Sequence, residues 1–221
     1  MPRRPKHKSY LVIGLGYFGQ SVAKTLVEMG HEVVAVDNDP AVVDEIKDHV
    51  THAVQLDATD VSALRELGIP NFDRCVVGRG TDLEDSINIV MGLKELDARF
   101  IVAKAMTDRQ ARILEKLGAD HVVFPEREMG TRVAHSLQSP RVMDYMDLGR
   151  DLGITEILAP VSCQGMALRD LELRQRFGIN VIAVRRGAEL RMDLGPGDVI
   201  QEGDVMGVAG DAASMEAFSE G

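Results

Sequence analysis

From Tyr10 to Phe124 the chain repeats one pattern: a short apolar run, a turn, then a stretch with helical periodicity. The apolar runs are Tyr10–Ile13, Val33–Val36, Ala53–Leu56, Cys75–Val77, Phe100–Ala103 and His121–Phe124. Runs that are apolar at consecutive positions predict strands covered on both faces, and helices between them predict a parallel sheet. The helix limits are marked. Asp39 before Pro40 reads as an N-cap with proline at the first helical position. Thr81 with Glu84, and Thr107 with Gln110, fit capping boxes, in which side chain and backbone satisfy each other's free groups. Gly30, Gly68 and Gly118 each follow a helical Met or Leu, where a left-handed closing residue belongs. The prediction is an α/β fold, a Rossmann-type doubly wound parallel sheet with right-handed crossovers.

Beyond Pro125 the texture changes. Glu126 to Leu137 reads as a helix, and Ser139-Pro140 breaks it. Strand signals follow at Ile154–Ala159, Val181–Val184, Glu189–Met192 and Val205–Val208, with a helix at Leu171–Phe177 and a helical tail at Ala212–Phe218. The expected division is a Rossmann-type domain over 8–138 and a smaller α+β domain over 139–221. The second is near the lower size limit for independent folding, so a partner or a second copy is expected to support it. Gly195-Pro196-Gly197-Asp198 and Gly203-Asp204-Val205-Met206-Gly207 place two turns around a short segment; alone they read as a hairpin.

Charge narrows the function. The 221 residues carry a net charge of -10, whereas a nucleic-acid binder needs a basic surface that releases counterions. Only 4% of residues are aromatic and none is Trp, which argues against base-stacking platforms. Arg3, Arg4, Lys6 and Lys8 read as a solvated tail. The apolar run behind them is too short for a signal peptide, and no segment approaches the roughly 20 apolar residues of a membrane span. A cytoplasmic location is expected. Cys75 and Cys163 lack metal-ligand spacing and read as ordinary reduced thiols.

The candidate chemistry lies in Gly14-Leu15-Gly16-Tyr17-Phe18-Gly19, directly after the first strand and opening the first helix. Gly14 permits the tight turn, Gly16 lets backbone approach a phosphate, and Gly19 lets the helix pack on the strand. Tyr17 and Phe18 stand at the helix start, where free N–H groups favour an anion. Asp37 ends the second strand, near the ribose-binding position about 20 residues on, with Asn38 beside it. A carboxylate there accepts from both ribose hydroxyls and repels a 2′-phosphate, which argues against NADP. Asp57-Ala58-Thr59 follows the third strand; it reads equally as an adenine pocket and as a helix-capping loop in which Asp60 caps the next helix. Gly78-Arg79-Gly80 follows the fourth strand, with Arg79 either meeting a phosphate or standing solvated.

These stretches, with Gly30-His31-Glu32-Val33, Lys104-Ala105, Gly118-Ala119-Asp120-His121-Val122 and Phe124-Pro125-Glu126-Arg127-Glu128-Met129-Gly130, resemble the KtrA/TrkA family, whose domains are called RCK (regulator of conductance of potassium). The last stretch is the most specific, since dehydrogenases have no such signature there. The resemblance runs from about Lys8 to Phe218. It implies a cytoplasmic subunit assembled as dimers in a ring, commonly octameric, under an integral membrane potassium-translocating subunit of KtrB/TrkH type. It implies ATP or ADP, or NAD(H), in the Rossmann crevice. Asp37 would hold the ribose, Asp57 to Thr59 the adenine, and Lys104 the phosphate region. Glu126 would lie near the phosphates of a neighbouring subunit with a divalent cation, magnesium or calcium. By themselves Lys104 and Glu126 look like surface charges. The family loop usually carries arginine where this chain has Tyr17; either Arg79 compensates or the preferred ligand is ADP or a dinucleotide.

Residues 141–221 resemble the RCK C-terminal domain. Some KtrA-like proteins bind cyclic di-AMP there, and the matching positions are Arg174, Asn180, Val181 and Pro196. Read alone, Arg174 is an exposed helix residue and Asn180 a turn residue. Two other readings share the glycine loop. A small NAD-dependent oxidoreductase needs an acid–base group that the six histidines do not supply, and a Tyr-x-x-x-Lys pair is absent. A nucleotide sensor for a different membrane partner is the other.

Overall fold

Alternation along the first strand, β1 (Ser9–Ile13), builds two cores at once. Leu11 and Ile13 face one cluster with Val36, Leu64, Ile89, Leu93 and Leu114, while Tyr10 and Val12 face the other with Ala23, Val33, Ala35 and Ile46. A strand whose successive side chains point to opposite faces can be apolar throughout only if both faces are covered. The structure, a computed structural model, describes residues 7–80, 82–138, 141–149 and 152–220. Arg3, Arg4 and Lys6 of the basic cluster, Thr81 of the first expected capping box, and the Ser139-Pro140 break lie outside the described residues.

The other strands of this sheet are β2 (Glu32–Asp37), β3 (His52–Gln55), β4 (Arg74–Val77), β5 (Ile101–Lys104) and β6 (His121–Val123). They are parallel, in the order β3-β2-β1-β4-β5-β6. The sheet therefore reverses its winding between β1 and β4, and the loops at their carboxyl ends border the crevice where such sheets take ligands. The helices between the strands are α1 (Tyr17–Glu28), α2 (Pro40–Ile46), α3 (Val61–Glu66), α4 (Leu83–Glu95) and α5 (Asp108–Leu117).

Helix ends largely follow expectation. Asp39 caps α2 through the Ala41 amide at 2.9 Å, and the Thr107–Gln110 capping box is complete. Gly30, Gly68 and Gly118 all take left-handed φ. At α4 the cap is Asp82, whose carboxylate accepts from the Glu84 and Asp85 amides; it performs the role expected of Thr81. Both thiols are buried, and burial pushes that of Cys75 up to about 12.

The chain divides into two compact units, one through Arg127 and one from Glu128, with the division inside α6 (Pro125–Gln138). The second unit is an antiparallel sheet in the order β10-β9-β11-β8-β7. Its strands are β7 (Val142–Asp147), β8 (Gly153–Leu158), β9 (Asn180–Arg186), β10 (Glu189–Arg191) and β11 (Val205–Gly210). α7 (Leu168–Leu171), α8 (Leu173–Arg176) and α9 (Ala212–Glu220) accompany it. Three expectations are corrected. β7 carried no predicted strand, because it is an edge strand with two aspartates whose Met143 and Met146 are exposed and whose Tyr145 alone is buried. The single helix over Leu171–Phe177 is two one-turn helices broken at Glu172, which takes a left-handed φ of 47°. Leu171 and Leu173 are both buried. Two residues apart on one helix they would point nearly opposite ways, so the break turns both inward. The two glycine turns do not close a hairpin: β11 pairs with β8 and β9, while Val199 bridges to Ala167.

One ion pair anchors this unit. The Asp204 side chain is wholly buried and accepts from Arg186 at 2.8 and 2.7 Å and from the Gln201 amide at 2.8 Å. The Arg186 guanidinium holds the Asp204 carboxyl below its usual range. A depressed folded pKa means the stabilisation is complete above the unfolded value, near pH 4, and is lost as pH falls through the folded one. Asp204→Asn is expected to cost about 2–3 kcal/mol at neutral pH, since it removes hydrogen bonds to a charged group. Urea unfolding at pH 7, and again below about pH 4 where the difference should shrink, checks both the size and the sign.

Candidate functional site

The glycine loop is tight on its protein side and open outside. Gly14 takes φ +86°, and a Cβ there would lie 2.7 Å from Arg79 Cγ. A Cβ on Gly19 would lie 1.9 Å from the Gly14 carbonyl oxygen, so α1 can pack on the turn only without a side chain. Around Gly16 a Cβ would meet nothing within 4 Å. Among the described residues no side chain caps α1, and the first amide with a helical partner is that of Gln20, donating to Gly16 at 2.9 Å. Helices α2, α3, α4 and α5 are capped by Asp39, Asp60, Asp82 and Thr107. The start of α1 therefore keeps free donors at Tyr17, Phe18 and Gly19, together with the positive end of the helix dipole. Tyr17 is 99% exposed.

Asp37 is fixed beside this loop. One oxygen accepts from the Leu15 amide at 2.7 Å and the other from the Asp39 amide at 3.1 Å. Each carboxylate oxygen accepts more than one hydrogen bond, so capacity remains for two ribose hydroxyls. Asn38 is exposed, and its carbonyl accepts from Gln55 at 3.3 Å. At the end of β3 the capping reading is realised: Asp60 caps α3 through the Ser62 amide at 2.8 Å, while Asp57 folds back onto Thr59. Asp57 accepts from the Thr59 amide at 3.0 Å and from its hydroxyl at 2.7 Å, which hold its carboxyl below the usual range. Ala58 is buried.

Arg79 is half-buried. It pairs with Asp85 at 3.2 Å, a partner that no spacing pattern announced. Lys104 is not the surface charge that it reads as alone. Its side chain is only 11% exposed, its stem lies under Gly80, and its ammonium pairs with Glu126 of the same chain. That ammonium holds the Glu126 carboxyl below its usual range. Lys104 Nζ also lies 6.0 Å from the Phe18 ring centroid, which ties β5 to the glycine loop. Among the described residues no group of three or more His, Cys, Asp or Glu is placed to hold a metal.

In the second unit Arg174, Asn180, Val181 and Pro196 line one pocket of ≈ 360 Å³. Arg169 and Gln175 line it as well. Sequence reasoning missed them because α7 and the break at Glu172 were not foreseen.

The TrkA-N domain family matches residues 10–125, and the TrkA-C domain family matches residues 154–220. The chain belongs to the TrkA/Ktr family. It is 40% identical to Ktr system potassium uptake protein C of Bacillus subtilis over 96% of each chain. To Ktr system potassium uptake protein A of the same organism it is 36% identical over 97% of each. The GsuK RCK domain superposes with a TM-score of 0.66 at 18% identity, covering 100% of this chain and 49% of that one, a likeness of fold. Among the described residues no helix is long and apolar enough to cross a membrane.

The loop geometry separates two glycines that look alike in sequence. Gly19→Ala, driving a methyl into a carbonyl oxygen, should lose about 1–3 kcal/mol of stability. Gly16→Ala has room and an ordinary φ of -63°, and should stay within about 0.5 kcal/mol. Urea unfolding of both variants checks the difference.

Proposed function

We propose that this chain is the cytoplasmic regulatory subunit of a potassium uptake system, a binding protein and not an enzyme, which senses an adenine nucleotide in the Rossmann crevice. The observation that carries the reading is the open, uncapped start of α1 with Asp37 fixed beside it, in a chain whose family is that of potassium uptake proteins. The amides of Tyr17, Phe18 and Gly19 receive the phosphates, Asp37 receives the ribose, and Asp57 to Thr59 border the adenine. Asn38, Gly80 and Lys104 complete the walls. The ligand is ATP, ADP or NAD(H).

The mechanism is differential binding. Dimers assemble into a ring under an integral membrane subunit, and a ligand shifts the ring between two shapes only by binding one of them more tightly. A coupling of roughly 5–150-fold is usual for such systems. Glu126, reaching a neighbouring subunit's phosphates with a magnesium or calcium ion between them, is the differential contact in this scheme. The domains of the scheme are 8–138 for the nucleotide and 139–221 for a second input, cyclic di-AMP, at Arg174, Asn180, Val181 and Pro196. Arginine offers a phosphate a two-pronged contact, and the shared pocket has room for part of such a ligand.

Two experiments test this. Asp37→Ala should abolish the nucleotide dependence of potassium flux while the assembly keeps its mass; flux that still responds to nucleotide refutes the site. Calorimetric titration of the full chain with cyclic di-AMP should give heat that Arg174→Ala lowers at least about tenfold in affinity, as expected for loss of a charge-assisted pair. No heat with the unaltered chain removes the second input.

A further inference from the structure

The antiparallel sheet of the second unit has two edges, and they differ. β7 carries Asp144 and Asp147 with no cation within it, and Asp144 is engaged by Arg132. β10, at the other edge, is joined to β9 by a two-residue turn that Gly187 opens with φ 57°. Such a turn makes Arg186 and Glu189 a hydrogen-bonded pair, and bonded and non-bonded pairs alternate along an antiparallel ladder. Leu190, opposite Arg185, therefore turns its N–H and C=O away from β9, toward the open edge. Neither proline, lysine nor a bulge, the usual guards of such an edge, stands in Glu189–Arg191. Leu190 is 59% exposed and Met192 beyond it 69%.

The geometry points to a second copy of this chain as the occupant of that edge, paired antiparallel about a twofold axis at Leu190. In this register Leu190 exchanges both backbone hydrogen bonds with its counterpart, and Glu189 stands opposite Arg191 on each side of the axis. Opposite charges directly across two strands attract, and a twofold interface makes the contact twice. Moving the axis by one residue sets Arg191 against Arg191 or Glu189 against Glu189, so the charges select the register. Arg191 already meets Asp198 at 3.2 Å, and a guanidinium with five donors can serve both carboxylates. The pocket of Arg174, Asn180 and Pro196 lies at the other end of β9, which begins at Asn180, so the two features are separate. Three residues a side bury little area. The contact is weak by itself and forms at high concentration or between copies held together elsewhere.

The test is mild oxidation of full-length cysteine variants at high chain concentration and low ionic strength, with covalent dimer measured on non-reducing gels. Both native cysteines are buried. Leu190→Cys, at the axis, brings two Cα atoms to about 5.5 Å, within disulfide reach, and should form the dimer. Met192→Cys, at a more exposed position, should not, because in this register its counterpart lies about 13 Å along the ladder. Within the Leu190→Cys chain, Glu189→Arg or Arg191→Glu alone sets like charges opposite on both sides, and each should slow dimer formation at least about fivefold. Making both substitutions together restores opposite charges across the axis and should restore the rate. That rescue separates the contact from a role within one chain, since the exchange also removes the Arg191–Asp198 pair. No covalent dimer from Leu190→Cys, one formed as fast from Met192→Cys, or an exchange without rescue each overturns the inference.

Discussion

The first unit depends on one close approach. The Gly14 carbonyl oxygen lies where a Cβ of Gly19 would be, and a Cβ on Gly78 would meet the same oxygen at 2.7 Å. Helix α1, the turn after β1 and the turn after β4 therefore converge on one atom. Any side chain there would push α1 away from the sheet. With glycine at these positions, α1 begins directly over the strand ends, and its unsatisfied amides face the crevice at the winding reversal. The wall beside them is tied to the same turn, because the Leu15 amide donates to Asp37 and the Gly14 amide to Val36.

Around that crevice the charged side chains are engaged with each other. The ion pairs Arg79–Asp85 and Lys104–Glu126 hold α4 to the turn after β4 and α6 to β5. Arginine and lysine at a phosphate site are usually read as counter-charges for the ligand. Here both cations already face carboxylates of the same chain.

The second unit uses the same economy with different parts. It holds Asp204, a buried carboxylate that would be costly alone and is satisfied by Arg186 and the turn that precedes β11. The left-handed residue Glu172 lets two consecutive short helices bury Leu171 and Leu173, and the same bend lets α7 and α8 both contribute to the pocket wall.

Periodicity alone determined the Rossmann sheet. Six apolar runs, helices between them, and capping residues such as Asp39 and Thr107 are local signals, and a doubly wound sheet follows from them with few alternatives. The tight turn of the glycine loop and the place of Asp37 at the end of β2 were legible for the same reason: they come from backbone geometry at fixed offsets from a strand. Tertiary structure decided what side chains do at long range. That Lys104 lies under Gly80 and meets Glu126, that Arg79 belongs to Asp85, and that Glu172 breaks a helix all depend on neighbours distant in sequence or on burial. Charges leave no periodic trace of their partners, and an edge strand such as β7, half in solvent, leaves almost none of its own.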